Sequence, residues 1–148
     1  MSNVVLGQSQ KVAAFVASIM PYPGYERGFD TVAAIGVEED GNLIGGTVFH
    51  DWNPEAGVIE MSSAAVSPKW LSREMVNSIF TYVFDVVKVR IVVMRVAESN
   101  KRMVDIGRRF GFDEYLIPQL AGENDGLFIF TLSHQQWLES PFNRRKAA

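Results

Sequence analysis

The sequence contains no cysteine among its 148 residues. This absence excludes disulfides, thiolate catalysis and zinc sites built from Cys ligands. It fits a cytoplasmic protein, which is the localisation that we expect. The two histidines, His50 and His134, are far apart in the chain and form no recognisable pair of metal ligands, so no metal site is expected.

Long apolar runs and a large net charge are also missing. The most apolar stretch, residues 79–96, is interrupted by Asp85, Lys88, Arg90 and Arg95, so it does not predict a membrane span. No basic stretch followed by an apolar segment marks a signal peptide at the N-terminus. With a net charge of −3, the chain has no bulk attraction to nucleic acid or anionic membranes, and neither is expected as a partner.

The composition that remains is typical of a globular protein, with 47% apolar and 21% charged residues. A chain of this length is the size of one compact domain with a real core. We therefore expect a single domain over residues 1–148, ending in a flexible tail from residue 141 to residue 148.

The first half of the chain predicts one helix and three strands. Apolar residues recur at helical spacing over residues 8–20, and the prolines and glycines of residues 21–30 predict a loop. The runs "TVAAIGVEE" and "LIGGTVFHDW" are separated by "DGN", a strong hairpin signal. A third strand, "VIEMSSAAV", completes an antiparallel meander.

The second half alternates helices and strands. Ser72 is expected to cap a helix, which is followed by the buried strand "VRIVVMRVA". Ser99 or Asn100 would cap the next helix, and Gly111 would stop it. "DEYLIP" and "GLFIFTLS" predict a closing strand pair, and Ser133 begins a capping-box pattern for a last short helix.

This order predicts an α/β domain with a mixed sheet. The strand–helix–strand unit over residues 58–97 is expected to be a right-handed parallel crossover. Ligands of such sheets bind beyond the carboxyl ends of the parallel strands. Those ends are residues 64–66 and residues 96–100.

The segment "VSPKW" before a helix and "SNKRMVDIGRRFGF" after a buried strand resemble motifs of the GNAT superfamily of N-acetyltransferases. The resemblance is to its ribosomal-protein-acetylating and phage-borne branches, and it covers roughly residues 32–139 as a pattern. The residues that carry it are Val66, Pro68, Trp70, Asn100, Gly111 and Phe112.

The resemblance implies a mostly antiparallel mixed sheet with a central parallel strand pair and flanking helices, an arrangement that some schemes call α+β. It also implies direct transfer of an acetyl group from acetyl-coenzyme A to a primary amine on a small molecule or a protein. The N-terminus shows no convincing first strand, so we expect this strand to be missing. The resulting unpaired sheet edge would favour a homodimer.

The same resemblance assigns the cofactor contacts. Pantetheine would pair with the strand over residues 64–66, whose backbone donors would polarise the thioester carbonyl, and the pyrophosphate would lie on the loop over residues 71–76. The expected cofactor-binding residues are Ala64, Ala65, Val66, Leu71, Ser72, Arg73, Asn100 and Met103. Ser72 and Arg73 also suit an anion at the start of a helix.

Four positions depart from the family pattern, and the first is Leu71, which stands where the phosphate loop usually has arginine or glutamine. Glu74 and Val76 occupy positions at which the phosphate loop usually has small residues, and Gly107 stands where many members have a tyrosine that protonates the leaving thiolate. These departures leave open a second function, that of a binding or accessory protein that kept the fold and lost normal cofactor binding.

Glu60 is the candidate catalytic base. Acetylation requires a neutral amine, so the acceptor ammonium must lose a proton. Glu60 lies mid-strand among apolar residues, where a charge needs a reason, and its spacing to Val66 matches the catalytic glutamate of the histone-acetylating branch. The alternative is an ordinary polar residue on a solvent-exposed face. The preceding strand ends in His50, Asp51 and Trp52, which either border an acceptor site or form a turn.

Overall fold

The structure is a computed structural model and describes residues 2–20 and 31–143. The loop predicted over residues 21–30 lies outside the described residues. The elements are β1 (Ser2–Val5), α1 (Ser9–Ile19), β2 (Thr31–Glu39), β3 (Asn42–Asn53), β4 (Val58–Ala65), a 3₁₀ turn (Pro68–Trp70), α2 (Arg73–Thr81), a π-helical turn (Tyr82–Val86), β5 (Ile91–Ala97), α3 (Lys101–Arg109), β6 (Asp113–Gly122), β7 (Asp125–Ser133) and α4 (His134–Glu139).

The seven strands form one sheet in the order β1-β2-β3-β4-β5-β7-β6. Every neighbouring pair is antiparallel except β4 and β5, which run parallel at the centre. The predicted mixed, mostly antiparallel sheet with a central parallel pair is therefore confirmed. None of the described helices is long and apolar enough to cross a bilayer.

Local signals placed most element boundaries correctly. The Asp40-Gly41 turn has φ values of 53° and 81°, the left-handed conformation that a tight hairpin needs. The Ser72 hydroxyl accepts a hydrogen bond from the Met75 amide and caps α2. Of the two candidate caps for α3, Asn100 holds the position.

The expectation of a missing first strand is wrong. Residues Ser2–Val5 form β1, which pairs antiparallel with β2 from Ser2↔Glu39 to Val5↔Gly36. The strand has only four residues and ends in two valines, so it is too short for alternation to be visible. Pairing with β2, rather than a local pattern, defines it.

The predicted tail also begins too early. The ring of Phe142 packs edge-on against Phe110 at 4.6 Å between centroids, and Asn143 is buried. Residues 141–143 therefore belong to the packed structure. Residues 144–148 lie outside the described part of the chain.

The two faces of the sheet are covered by different helices. On one face, α1 packs against small residues, and a Cβ added at Gly46 would lie 2.7 Å from Val12 Cγ1. On the other face, α2, α3 and α4 pack over an aromatic cluster that includes Phe80, Phe130 and Trp137. Since successive strand residues point to opposite faces, both layers draw on the same strands.

Candidate functional site

The central parallel strands separate after a short contact. Pairing of β4 with β5 runs only from Val58↔Ile91 to Glu60↔Val93, although β4 continues to Ala65 and β5 to Ala97. A cavity of about 290 Å³ lies in the resulting gap. Its walls include Ser62, Ser63, Ala64, Ala65, Trp70, Met94, Arg95, Val96, Asn100 and Met103. This cavity lies at the carboxyl ends of the parallel strands, where the sequence predicts ligand binding.

The strand register decides which backbone groups face this gap. The Val66 amide donates a hydrogen bond of 2.8 Å to the carbonyl of Ile44 in β3. From there the β3–β4 register is continuous, from Gly45↔Ala65 to His50↔Glu60. Backbone polar groups alternate in direction along a strand. The groups of Ser63 and Ala65 therefore face the gap.

This register corrects part of the predicted pantetheine strand. The backbone groups of Ala64 and Val66 point towards β3, so of the three predicted residues only Ala65 offers its backbone to the gap. Val66 is 65% exposed and lies outside the cavity wall. The motif located the strand, but it contained no information on which alternate residues would pair with β3.

Trp70 forms one wall of the cavity. It is buried and packs on the backbone of β3, where a Cβ added at Gly45 would lie 2.5 Å from Trp70 Cβ. Only glycine permits so close an approach. Trp70 belongs to the larger hydrophobic core, and the same side chain also lines the gap.

The start of α2 differs from the predicted phosphate loop in its details. The hydroxyl of Ser72 is used as the helix cap, and Arg73 and Glu74 are exposed. Val76 is 4% exposed and belongs to the core. Leu71 borders a small apolar cavity of about 20 Å³ next to the gap. Residues 71–73 therefore lie beside the larger cavity, without lining it.

The start of α3 does reach the cavity. Asn100 and Met103 both line it, and Asn100 Oδ1 accepts a hydrogen bond from the Met103 amide at 3.3 Å. One side chain thus caps the helix and borders the gap. Further along α3, a Cβ at Gly107 would lie 2.9 Å from the Phe130 ring. Packing against Phe130 explains why a tyrosine is absent there.

Glu60 is buried at the point where β4 and β5 separate. It is 8% exposed, which excludes the alternative of a solvent-exposed face. Its Oε1 accepts hydrogen bonds from Arg95 Nε at 3.2 Å and Nη2 at 3.0 Å, and Oε2 lies 3.9 Å from His50 Nε2. Glu60 does not line the cavity, whereas Arg95 does.

His50 connects the neighbouring polar groups. The ring is 3% exposed, with Nδ1 2.6 Å from Asp51 Oδ2 and Nε2 2.8 Å from Ser62 Oγ. His50 pairs with Glu60 across the β3–β4 ladder, which brings both side chains to the face covered by α1. Sequence reasoning missed Ser62 and Arg95. A charged residue within an otherwise apolar strand was the available signal for Arg95.

A metal ion is the other group that this cluster could hold. Three side-chain atoms that could bind a metal, one each from His50, Asp51 and Glu60, lie within 4.8 Å of one another. However, the Arg95 guanidinium lies on Glu60, and Asp51 and Ser62 lie within hydrogen-bond distance of the two ring nitrogens. These contacts describe a hydrogen-bonded network, because a cation would have to displace them.

Solved structures that share this architecture include acetyltransferases. A mutant form of the spermidine/spermine N-acetyltransferase SpeG from Vibrio cholerae superposes with a TM-score of 0.71 at 14% identity, over 94% of this chain and 98% of that one. YncA from Salmonella typhimurium, a putative acetyltransferase solved with acetyl-CoA, gives 0.67 at 15% identity, over 89% and 93%. A chimera of Vibrio cholerae SpeG and hSSAT gives 0.61 at 19% identity, over 72% and 71%.

No protein-family model matches the sequence, and no curated protein matches it either. Identities this low show the fold alone, so the resemblance to the ribosomal-protein-acetylating and phage-borne branches stays a prediction. The seven-stranded sheet, its central parallel pair and the structural matches agree. The chain has the fold of the GNAT acetyltransferases.

Proposed function

We propose that this protein is an N-acetyltransferase that moves an acetyl group from acetyl-CoA directly to a primary amine. The observation that carries the proposal is the cavity between β4 and β5, at the carboxyl ends of the parallel strands of a GNAT fold. The acceptor amine is on a small molecule or a protein. Polyamines are the first candidates, because spermidine N-acetyltransferases are among the structural neighbours.

The residues around the gap fit the thioester arm of acetyl-CoA. The backbone groups of Ser63 and Ala65 face the gap and can pair with the amides of pantetheine. Asn100 and Met103 border the same space from α3. The cofactor supplies the activated acetyl group, and a backbone donor of β4 would polarise its carbonyl.

The start of α2 is proposed to hold the pyrophosphate. Its first amides have no partner within the helix and favour an anion, as does the cation of Arg73. The exposed Glu74 opposes this attraction, and the core position of Val76 leaves no glycine cradle. We therefore expect the phosphate contacts to be weaker than those of the gap.

Glu60 is proposed to supply the negative charge that draws the proton from the acceptor amine. It is buried, and its carboxylate lies between Arg95 and His50 at the start of the gap. Because Glu60 itself does not line the cavity, the proton must leave the cavity through a neighbouring group.

Calorimetric titration with acetyl-CoA tests the proposal. We expect saturable binding, and release of coenzyme A when spermidine, simple primary amines or peptides are added as acceptors. Absence of binding at about 1 mM cofactor, where ΔG° of binding would be only about −4 kcal/mol, would contradict the enzymatic function. That result would favour the accessory protein, for which Glu74 and Gly107 are the supporting features.

Two substitutions test the proposed proton transfer and the proposed phosphate binding separately. Glu60→Gln should lower kcat by about a hundredfold, the usual contribution of proton transfer, and should leave acetyl-CoA affinity within a few-fold. Arg73→Ala should weaken acetyl-CoA binding, whereas Lys11→Ala, an exposed cation on α1, should not. Equal affinity of both variants would show that the helix amides suffice.

The expected homodimer would have to form through a different edge of the sheet. It was predicted from an unpaired edge left by a missing strand, but β1 forms that edge. At the opposite edge, β6 exposes four apolar side chains, namely Tyr115, Leu116, Ile117 and Leu120. Self-association through β6 is the form of the prediction that we retain. Light scattering of the wild type and of Leu116→Lys would test it.

A further inference from the structure

We propose that Ser62, His50 and Asp51 form a proton relay that connects the cavity to the buried cluster around Glu60. The inference rests on the proposed acetyl transfer and names the group that handles its proton. Ser62 lines the cavity, its Oγ lies 2.8 Å from His50 Nε2, and His50 Nδ1 lies 2.6 Å from Asp51 Oδ2. The three side chains therefore form one continuous hydrogen-bonded chain.

The direction of the hydrogen bonds follows from the chemistry of the groups. A carboxylate only accepts, so His50 Nδ1 must carry the hydrogen that is shared with Asp51. A neutral imidazole then has a lone pair on Nε2, which accepts the hydroxyl hydrogen of Ser62. The Ser62 oxygen is left with lone pairs for an N–H group in the cavity.

The relay closes the proton balance of the reaction. The acceptor ammonium first passes one proton to Ser62 Oγ while the Ser62 hydroxyl proton passes to His50 Nε2, and the neutral nitrogen then bonds to the acetyl carbon. The carbon–sulfur bond breaks, the same route returns that proton to the departing thiolate, and the second proton that the nitrogen loses goes to solvent. This return would replace the tyrosine that Gly107 cannot provide, since Phe130 occupies the space for a side chain there.

The surroundings of His50 suit a transient positive charge. Asp51 Oδ2 lies 2.6 Å from one ring nitrogen, and Glu60 Oε2 lies 3.9 Å from the other. Arg95 is the nearby cation, and both of its hydrogen-bonding nitrogens contact the opposite oxygen of Glu60, Oε1. An imidazolium at His50 would thus face the buried carboxylate of Glu60 on one side and the exposed carboxylate of Asp51 on the other.

The backbone at Asp51 is also unusual. Asp51 has φ of 54°, and the pairing of β3 with β4 is irregular between His50 and Asn53. A left-handed conformation within a strand costs free energy, although Asp tolerates it better than most residues. Here it accompanies the 2.6 Å contact between the Asp51 carboxylate and the ring of the preceding histidine.

Nitrogen-15 NMR of the His50 ring tests the relay without any ligand. We expect the tautomer with hydrogen on Nδ1, and Asp51→Asn should change that signal while the His134 signal stays in place. His134 stacks on Phe84, far along the chain, and serves as an internal reference. Finding hydrogen on Nε2 would overturn the relay, because that nitrogen could not then accept from Ser62.

Kinetics of matched variants provide the second test. Asp51→Asn is compared with Asp40→Asn, since both residues are exposed and have φ near +54°. We expect Asp51→Asn to lower kcat about tenfold and His50→Gln or Ser62→Ala about a hundredfold. The Kd for acetyl-CoA should stay within a few-fold. Asp40→Asn should have the kcat of the wild type.

The acceptor series separates proton transfer from a structural role. With amines that are already neutral at the assay pH, the loss caused by Asp51→Asn should shrink. An equal loss for every amine, or unchanged kcat in all three variants, would overturn the relay. So would acetyl-Ser62, detected by mass spectrometry with acetyl-CoA alone, since Ser62 would then be a nucleophile.

The two proposals fail in different ways. If the wild type binds no acetyl-CoA, the acetyltransferase function is wrong and the relay falls with it, whatever the tautomer. If acetyl-CoA binds and turns over but the tautomer or the variants disagree, the relay alone is wrong.

Discussion

The two faces of the central sheet differ in what they bury. Under α2, α3 and α4 the strands contribute large apolar side chains such as Phe49 and Phe130, both fully buried. Under α1 they contribute small residues, and beside these the polar residues His50, Glu60 and Ser62. Adjacent residues of one strand therefore serve different purposes.

Strand β4 shows most clearly that the two faces of the sheet carry different kinds of side chains. Ile59 and Met61 point to the aromatic face and join the larger core, whereas Glu60 and Ser62 point to the other face and join the polar network. Substitutions on the aromatic face should thus affect stability before activity. Those on the polar face should do the reverse.

The largest expected effect is on the aromatic face. Phe130 is 0% exposed and packs on Phe112, Phe128 and Gly107. Phe130→Ala should lower the free energy of unfolding by about 3–5 kcal/mol, because it removes a buried ring and leaves a cavity. Urea unfolding measures the change. A loss below about 1 kcal/mol would mean that the core does not depend on this face.

The next largest effect on stability is expected where the aromatic core borders the cavity. Gly45→Ala would place a Cβ 2.5 Å from Trp70, on the wall of the cavity. We expect a loss of about 1–3 kcal/mol from overpacking, together with weaker acetyl-CoA binding as Trp70 shifts. Thermal unfolding and calorimetry measure the two effects.

Gly122→Ala is the matched control for this substitution. The added Cβ would meet only Asp125 Cβ at 3.5 Å, an ordinary contact. If Gly45→Ala and Gly122→Ala behave alike, the contact between Trp70 and β3 does not shape the gap.

A smaller effect is expected at the start of α2. Ser72→Ala removes the hydrogen bond to the Met75 amide and should cost about 1 kcal/mol. Ser78→Ala, on the same helix, should cost less. Because the Ser72 hydroxyl is used in the cap, acetyl-CoA affinity should fall only slightly, and a tenfold loss would instead indicate a direct contact with the cofactor.

The smallest effect is expected at the exposed ion pair between α3 and β6. A hydrogen bond from Arg108 lowers the pKa of the Glu114 carboxyl below its usual value. A lowered folded-state pKa gives stability that is present above the unfolded pKa and is lost as the pH falls through the folded pKa. Glu114→Gln should therefore change Tm slightly at neutral pH, and not at all in strong acid.

Thermal unfolding of the wild type and of Glu114→Gln, measured from neutral pH to strong acid, shows whether the Tm difference between them disappears as the pH falls. Because both partners are exposed, salt should reduce the difference further. A larger Tm difference in acid than at neutral pH would contradict the assignment.

Much of the fold could be predicted because its signals are local. The caps at Ser72 and Ser133, the Asp40-Gly41 turn and the helical spacing of apolar residues each act within a few residues. The position of the cavity could also be predicted, since the carboxyl ends of β4 and β5 follow from their order. Glu60 was predicted as a catalytic candidate because a charge within an apolar strand is unusual, and its burial is confirmed.

The sequence by itself therefore determined most of the elements, the α/β class and the edge of the sheet where the cavity lies. Only the tertiary structure decided that β1 exists, that Ala65 rather than Val66 faces the gap, and that Ser62 meets His50. His50 and Ser62 are 12 residues apart, and Arg95 and Glu60 are 35 apart. Such contacts depend on strand register, and a shift of one residue would turn each of these side chains to the opposite face.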